Sequence, residues 1–172
     1  MVLKPEPLAA ALDSVAASGR RTVYPSPSGK LFTQQYAEQL ASETELVFIC
    51  GRYEGIDQRI IDTYVDDEIS VGDYVMSSGE LSTLTIIDTV YRLIEGVIKG
   101  ESLEEESFTD GLLEYPHYTR PADFRGMAVP DILLSGHHAE IEKWRYEKRV
   151  EKTRRNRPDL LKEGEENGFS NN

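Results

Sequence analysis

The sequence predicts an α/β fold built around a parallel sheet. Three observations carry that expectation. Strand-length apolar runs alternate with segments of helical period from Pro7 to Ile94. The run Glu45-Leu46-Val47-Phe48-Ile49-Cys50 is apolar on both faces, which suits a strand buried in a parallel sheet. Two strands open into Gly-bounded polar turns that lead into helices, and the carboxyl ends of strands are where open α/β sheets bind ligands. A length of 172 residues, with 39% hydrophobic and 29% charged, fits a globular domain with a short appendage.

Pro7 followed by Leu8-Ala9-Ala10-Ala11-Leu12 and Val15-Ala16 reads as a helix, with proline near its start and Gly19 just past its end. Thr22-Val23-Tyr24 is a short strand. Pro25-Ser26-Pro27-Ser28-Gly29 is expected to be a loop, because two prolines lack amide donors and Gly29 permits positive φ. Thr33 to Ser42 carries Tyr36, Ala37 and Leu40 at helical spacing, and Glu45 to Cys50 follows as the buried strand. Ile56 to Tyr64 reads as a helix and Glu68-Ile69-Ser70-Val71 as a strand. Thr83 to Ile94 reads as a helix with Leu84, Ile87, Tyr91 and Ile94 on one apolar face. After Gly100, the acidic stretch Glu101 to Glu106 and the irregular section through Tyr115-Pro116-His117-Tyr118-Thr119-Arg120-Pro121 read as a linker or active-site loop. Ser135-Gly136-His137-His138-Ala139-Glu140 opens a further helix, which Pro158 closes. The polar tail from Lys162 to Asn172 is expected to be disordered.

The net charge is −12, from 19 Lys and Arg against 31 Asp and Glu. That total argues against a nonspecific polyanion binder. Its distribution points the other way: Lys143, Arg145, Lys148, Arg149, Lys152, Arg154, Arg155 and Arg157 face only Glu147 and Glu151 in the same stretch, a local +6. Such a helix end either grips phosphates or stands solvated as a cap. No apolar run approaches the roughly 20 residues of a membrane span. The N-terminus lacks the basic start and unbroken apolar stretch of a secretory signal, so the mature chain is expected in the cytosol. A single cysteine, Cys50, excludes an internal disulfide framework. His117, His138 and Cys50 match no zinc spacing, so no metal site is expected.

The stretch Ile49 to Arg59 is a strand, a Gly-bounded turn and a helix. It has neither the spaced glycines of a dinucleotide fingerprint nor the lysine of a P-loop, which excludes a phosphate-binding NTPase. Val71 to Leu81 repeats the pattern. Together with the loop from Tyr24 to Gly29, these turns can converge at one edge of the sheet and present backbone amides, carbonyls, tyrosine rings and small side chains. Such a surface suits a flat, weakly charged heterocycle better than a triphosphate. Each loop alone is equally an ordinary connection, with Arg52, Glu54, Asp57 and Arg59 as a surface charge cluster.

Cys50-Gly51-Arg52-Tyr53-Glu54-Gly55-Ile56-Asp57-Gln58-Arg59, Val71-Gly72-Asp73-Tyr74-Val75, Gly111-Leu112-Leu113, Pro116-His117-Tyr118-Thr119-Arg120-Pro121 and Leu134-Ser135-Gly136-His137-His138-Ala139-Glu140-Ile141 occur in this order. They closely resemble the motifs of the bacterial tRNA (guanine-N1)-methyltransferases of the TrmD type, over about Met1 to Leu161. The resemblance implies a SPOUT-like α/β domain with a trefoil knot on the C-terminal side of a parallel sheet, followed by a short helical appendage. It implies a catalytic domain over residues 1–100, a linker and active-site loop over 101–136, the start of a helical tRNA-binding domain over 137–161 and a disordered tail over 162–172. It further implies a homodimer with active sites between subunits, working in the cytoplasm and away from membranes. The methyl donor would be S-adenosylmethionine, and the acceptor N1 of the guanine immediately 3′ of the anticodon. Carried over residue by residue, the cofactor contacts are Tyr24, Ser26, Pro27, Gly51, Tyr53, Glu54, Ser70, Val71, Gly72, Tyr74, Met76 and Gly79. Glu106 stands where the family has its aspartate base, and Arg92 matches the arginine that contacts the target guanine. Arg120, His138, Arg149, Arg154 and Arg155 are the implied tRNA contacts. The residues do not say whether Mg²⁺ assists.

Departures from the family pattern bear on activity. Family members begin several tens of residues earlier and continue into further helices, so the resemblance implies a chain cut short at both ends. Glu106 reaches one methylene further than aspartate. Ser78 replaces a glycine and is expected to crowd the backbone near the ligand; Ser82 replaces a proline and is expected to loosen the start of the next helix. These departures leave a second reading, a catalytically impaired remnant that binds tRNA or S-adenosylmethionine.

Overall fold

Thr22, Val23 and Tyr24 are β-branched or aromatic residues suited to a pleated, buried surface, and they lie in the first half of the central strand, β1 (Arg21–Leu31). In the computed structural model, which describes residues 1–98, 106–108 and 110–161, β1 lies between β2 (Leu46–Phe48) and β3 (Asp67–Ser70), both parallel to it. Val23 is opposite Phe48 on one side and Asp67 on the other. The run expected to be a buried strand is therefore parallel but lies at an edge of the described sheet. Only Leu46–Phe48 pair, and all three are half-buried. Ile49 still donates its amide to the Val23 carbonyl at 2.9 Å, after which the chain turns away and Cys50 is exposed.

The segment from Pro25 to Gly29, expected to be a loop, is contained within β1. Both Pro25 and Lys30 stand opposite Ile69, so the residues between them leave the ladder and return to the same partner. Pro25 and Pro27 cannot donate to the ladder, and Ser28 turns its amide to the Ser26 hydroxyl at 3.2 Å. Gly29 serves here through close approach, not positive φ: a Cβ would collide with the backbone of Glu68 and Ile69.

Four helices cover the two faces of the sheet. On one face α1 (Pro5–Ser14) and α3 (Gln58–Tyr64) bury Leu12 and Ile60 with Tyr24, Ile49 and Ile56. On the other, α2 (Gln34–Ala41) and α4 (Glu80–Arg92) bury Ala37, Leu40, Ile86 and Val90 against Val23 and Ile69. Ile86 is fully buried, so truncation to alanine would cost about 2 to 5 kcal/mol. Thr33 caps α2 by accepting the Tyr36 amide at 3.2 Å, and Asp57 caps α3 by accepting the Arg59 amide at 3.0 Å.

α4 departs from expectation twice. It begins at Glu80 rather than Thr83, and Ser82 fastens that start by donating its hydroxyl to the Gly79 carbonyl at 2.9 Å. Its buried face is Ser82, Thr83, Ile86 and Val90, while Leu84, Ile87, Tyr91 and Ile94 stand exposed. Small hydroxyl side chains, satisfied within the helix or by Cys50, allow close packing that a reading by apolarity alone assigns to the opposite face.

The chain divides into two compact units, Met1–Ile98 and Lys99–Asn172. In the second, Asp123–Phe124 (β4) and Met127–Ala128 (β5) form a short antiparallel hairpin. α5 (Asp131–Leu134) leads through Gly136, at φ 73°, to the long helix α6 (His138–Asn156). α6 fully buries only Val150 and Thr153, which leaves much of its charged surface to solvent. The acidic residues 101–105 and the tail over 162–172 lie outside the described residues.

Candidate active site

Within the first unit, the excursion of β1, the turn after β2 and the turn after β3 meet at the carboxyl ends of the strands, as the doubly covered sheet favours. They enclose a cavity of about 320 Å³, inside the range of small-ligand sites. The turns hold one another. Gly79 donates its amide to the Gly51 carbonyl at 2.8 Å, and Arg52 bridges to Ser78. Met1 and Leu3 brace the turn after β2, accepting the Glu54 amide at 3.1 Å and donating to the Gly55 carbonyl at 3.0 Å. Contact between two backbones is possible because Gly79 has no side chain: a Cβ there would lie 2.8 Å from the Gly51 nitrogen. Gly72 holds φ 153°, which lets Tyr74 fold its amide back to the Gly72 carbonyl at 2.8 Å.

All the residues expected to hold the cofactor line this cavity. Tyr24, Ser26 and Pro27 come from β1; Gly51, Tyr53 and Glu54 from the turn after β2; Ser70, Val71, Gly72, Tyr74, Met76 and Gly79 from the end of β3 and the turn beyond. Tyr24 is buried beneath Gly51 and Gly55. Burial and the nearby Glu68 push its hydroxyl above the usual range, with a backbone hydrogen bond from Ile56 working the other way. Tyr53 and Tyr74 are exposed. Arg52 and Glu54 are the charged lining residues, so the cavity is weakly charged and rich in backbone groups. Ile69, Ser78 and Ser82 also line it; the alternation of β3 and the hydroxyl spacing at the start of α4 were the available signals. Ser78 is engaged by Glu80, whose carboxyl it helps to hold below its usual range.

The other expected site residues lie apart from the cavity or in the second unit. Arg92 ends the helix that Gly79 caps, about 20 Å along its axis. Glu106 is half-buried in the second unit. Arg120 and His138 line a groove of about 580 Å³ there, together with His117, Tyr118 and an apolar floor that includes Leu133 and Ile141. Arg154 and Arg155 are exposed near the end of α6, with Arg155 2.9 Å from Glu151. Arg149 differs: its side chain is only 14% exposed, ion-paired with Asp110 and bonded to the Leu113 carbonyl at 3.4 Å. Its guanidinium, expected at the tRNA, is turned inward on protein partners. Among the described residues no cluster of three or more His, Cys, Asp or Glu is placed to hold a metal ion, and no helix is long and apolar enough to cross a membrane.

Comparison with known proteins matches residues 1–163 to the family model described as tRNA (guanine-1)-methyltransferase TrmD. A tRNA (guanine-N(1)-)-methyltransferase of Treponema denticola is 67% identical over 169 residues, covering 98% of this chain and 70% of the relative. Enzymes of the same name from Treponema pallidum and Borrelia turicatae are 63% and 60% identical, covering 94% and 99% of this chain. The chain spans 64% of the Treponema pallidum relative and 74% of the Borrelia turicatae one.

Proposed function

This chain belongs to the tRNA (guanine-1)-methyltransferase family, TrmD, and from that membership we propose that it transfers a methyl group from S-adenosylmethionine to N1 of the guanine immediately 3′ of the anticodon. The observation that carries the cofactor assignment is the convergence of three glycine-bearing turns on one weakly charged cavity. The absence of Cβ atoms at Gly51 and Gly79 lets the Tyr24 ring and the two turns pack against one another, which shapes a wall rich in backbone groups for a flat heterocycle. Bound there, S-adenosylmethionine supplies an electrophilic methyl group on a sulfonium centre. Glu54, at the lining, offers a carboxylate to that positive charge.

The protein's own task is set by the nucleophile. N1 of guanine carries a proton and attacks poorly until it leaves, while negative charge builds on O6. Glu106 takes the N1 proton and Arg92 offsets the charge at O6. The target base leaves its stack to be reached, which an anticodon-loop base does readily. Arg120, His138, Arg154 and Arg155 meet the tRNA, with exposed cations of α6 against the phosphates.

The same reading includes a homodimer and a knotted chain. The exposed row Leu84, Ile87 and Tyr91 on α4, continued by Ile94 just past its end, is apolar surface that a second copy would cover. Such pairing would bring an Arg92 to a pocket that lies about 20 Å from the Arg92 of its own subunit. The trefoil knot in this reading rests on family membership; the Gly79–Gly51 and Ser78–Arg52 pairings lay the later turn against the earlier one. A tRNA substrate supports a cytoplasmic location in the same reading. Ser82 closes a hydrogen bond at the start of α4 and Ser78 is engaged by Glu80, so neither favours an impaired remnant.

Transfer of tritiated methyl from S-adenosylmethionine to tRNA with guanine at that position tests the proposal. Incorporation that disappears in Glu106→Gln, while cofactor affinity by calorimetry stays within twofold, is expected. Cofactor binding without incorporation into any tRNA would replace the enzyme with a binding protein.

A further inference from the structure

The residues that follow Glu106 are tied to α6 by a set of hydrogen bonds centred on Arg149. Asp110 pairs with the Arg149 guanidinium and also accepts the Leu112 amide at 3.2 Å. The Leu113 amide donates to the Thr153 hydroxyl at 2.9 Å, and its carbonyl accepts from Arg149 Nε at 3.4 Å. Thr153 is fully buried and returns its own hydroxyl proton to the Arg149 carbonyl at 2.8 Å. The tether reaches Glu106 through its neighbour: the Glu114 amide donates to the Ser107 hydroxyl at 2.9 Å, and the Phe108 amide to the Leu112 carbonyl at 2.9 Å. Phe108 sits at φ 77°, a left-handed conformation that a bulky side chain holds only when its surroundings impose it.

We propose that Arg149, through its pair with Asp110, is a positioning residue for methyl transfer that sets the place of Glu106, and is not a phosphate ligand. This rests on the reading of Glu106 as the base. A phosphate contact would require the guanidinium to leave Asp110 and the Leu113 carbonyl, and it is held where solvent reaches little of it. The chemistry suits the role, because proton transfer from N1 tolerates little displacement of the acceptor. It also joins the helix that carries the exposed cations to the segment that carries the base.

Arg149→Met and Asp110→Asn in the full chain test this, the second being nearly isosteric and therefore a guard against loss of folding. Both are expected to lower kcat at least tenfold while KM and Kd for tRNA stay within twofold. The slope of log Kd against log salt should not change, Arg149→Lys should recover part of kcat, and amide exchange at Leu112, Leu113 and Glu114 should quicken. Added to Asp110→Asn, Arg149→Met should cause little further loss, because both break one ion pair. A salt slope smaller by about one with kcat retained would make Arg149 a phosphate ligand and overturn the proposal. Faster exchange with unchanged kcat would reduce it to a structural tether, and additive losses in the double variant would place its effect elsewhere. Full turnover in Glu106→Gln alone would remove the base reading and this proposal with it, an outcome that the single variant distinguishes from the others.

Discussion

Asp67 at the start of β3 shows how one residue links the strands to the helix layer. Arg21 reaches it at 2.6 Å and the Tyr36 hydroxyl at 2.5 Å, and its side chain is 11% exposed. Burial works against its ionisation, but the hydrogen bonds from Arg21 and Tyr36 prevail and hold its carboxyl below the usual range. Burial and the Asp67 carboxylate push Tyr36 up to about 12. A depressed carboxyl contributes stability above its unfolded value and loses it as pH falls through the folded one. Asp67→Asn is therefore expected to cost about 2 kcal/mol in urea unfolding at pH 7. The deficit should narrow as the pH drops below the ordinary carboxylate range; a constant deficit would show that charge is not the cause. At the pocket, Gly79→Ala sets a Cβ 3.2 Å from the Cys50 Cα and closer still to the Gly51 nitrogen, both backbone atoms that cannot swing aside. It should destabilise the protein by about 1 to 3 kcal/mol and weaken S-adenosylmethionine binding at least tenfold by calorimetry. Gly19→Ala, with nothing within 4 Å, is the matched control.

Among the elements, α4 and α6 carry the clearest surface consequences. If the exposed row on α4 is where a second copy docks, Ile87→Glu should shift sedimentation toward monomer and make the unfolding midpoint independent of protein concentration, since Ile87 is 42% exposed in the single chain. Loss of stability without loss of self-association would place the interface elsewhere. On α6, reversing Arg154 and Arg155 should lower the salt slope of tRNA binding by about two. Helices and strands were legible in the sequence because their periods are local: Thr33, Asp57 and Gly136 mark their ends by their own chemistry. The inward face of α4 was not, because Ser82 and Thr83 become core residues only once Gly79 and Cys50 satisfy their hydroxyls. The ion pair of Arg149 was hidden for a similar reason: a cation in a basic run looks solvated until Asp110, far along the chain, is placed against it.

For the molecule as a whole, if the cations of α6 meet tRNA as proposed, a net −12 and a local +6 would confine the attraction to one segment and oppose it elsewhere. With about four phosphates engaged, affinity should fall on the order of a hundredfold between 50 and 200 mM salt, measurable by filter binding; a flat profile would reject the assignment of α6. The alternation of strands and helices that builds the first unit was readable in the residues, and so was the grouping of three turns into one pocket. The central strand's return to Ile69 was not, because it depends on pairing with β3 and on the room Gly29 leaves beside Glu68. That return has an evolutionary consequence. Because the excursion leaves and rejoins the ladder at one rung, its length is decoupled from the register of the sheet. Residues can be gained or lost between Pro25 and Gly29 without shifting Val23 or Leu31, so descendants of this chain could remodel one wall of the pocket by insertion and deletion while inheriting the scaffold unchanged.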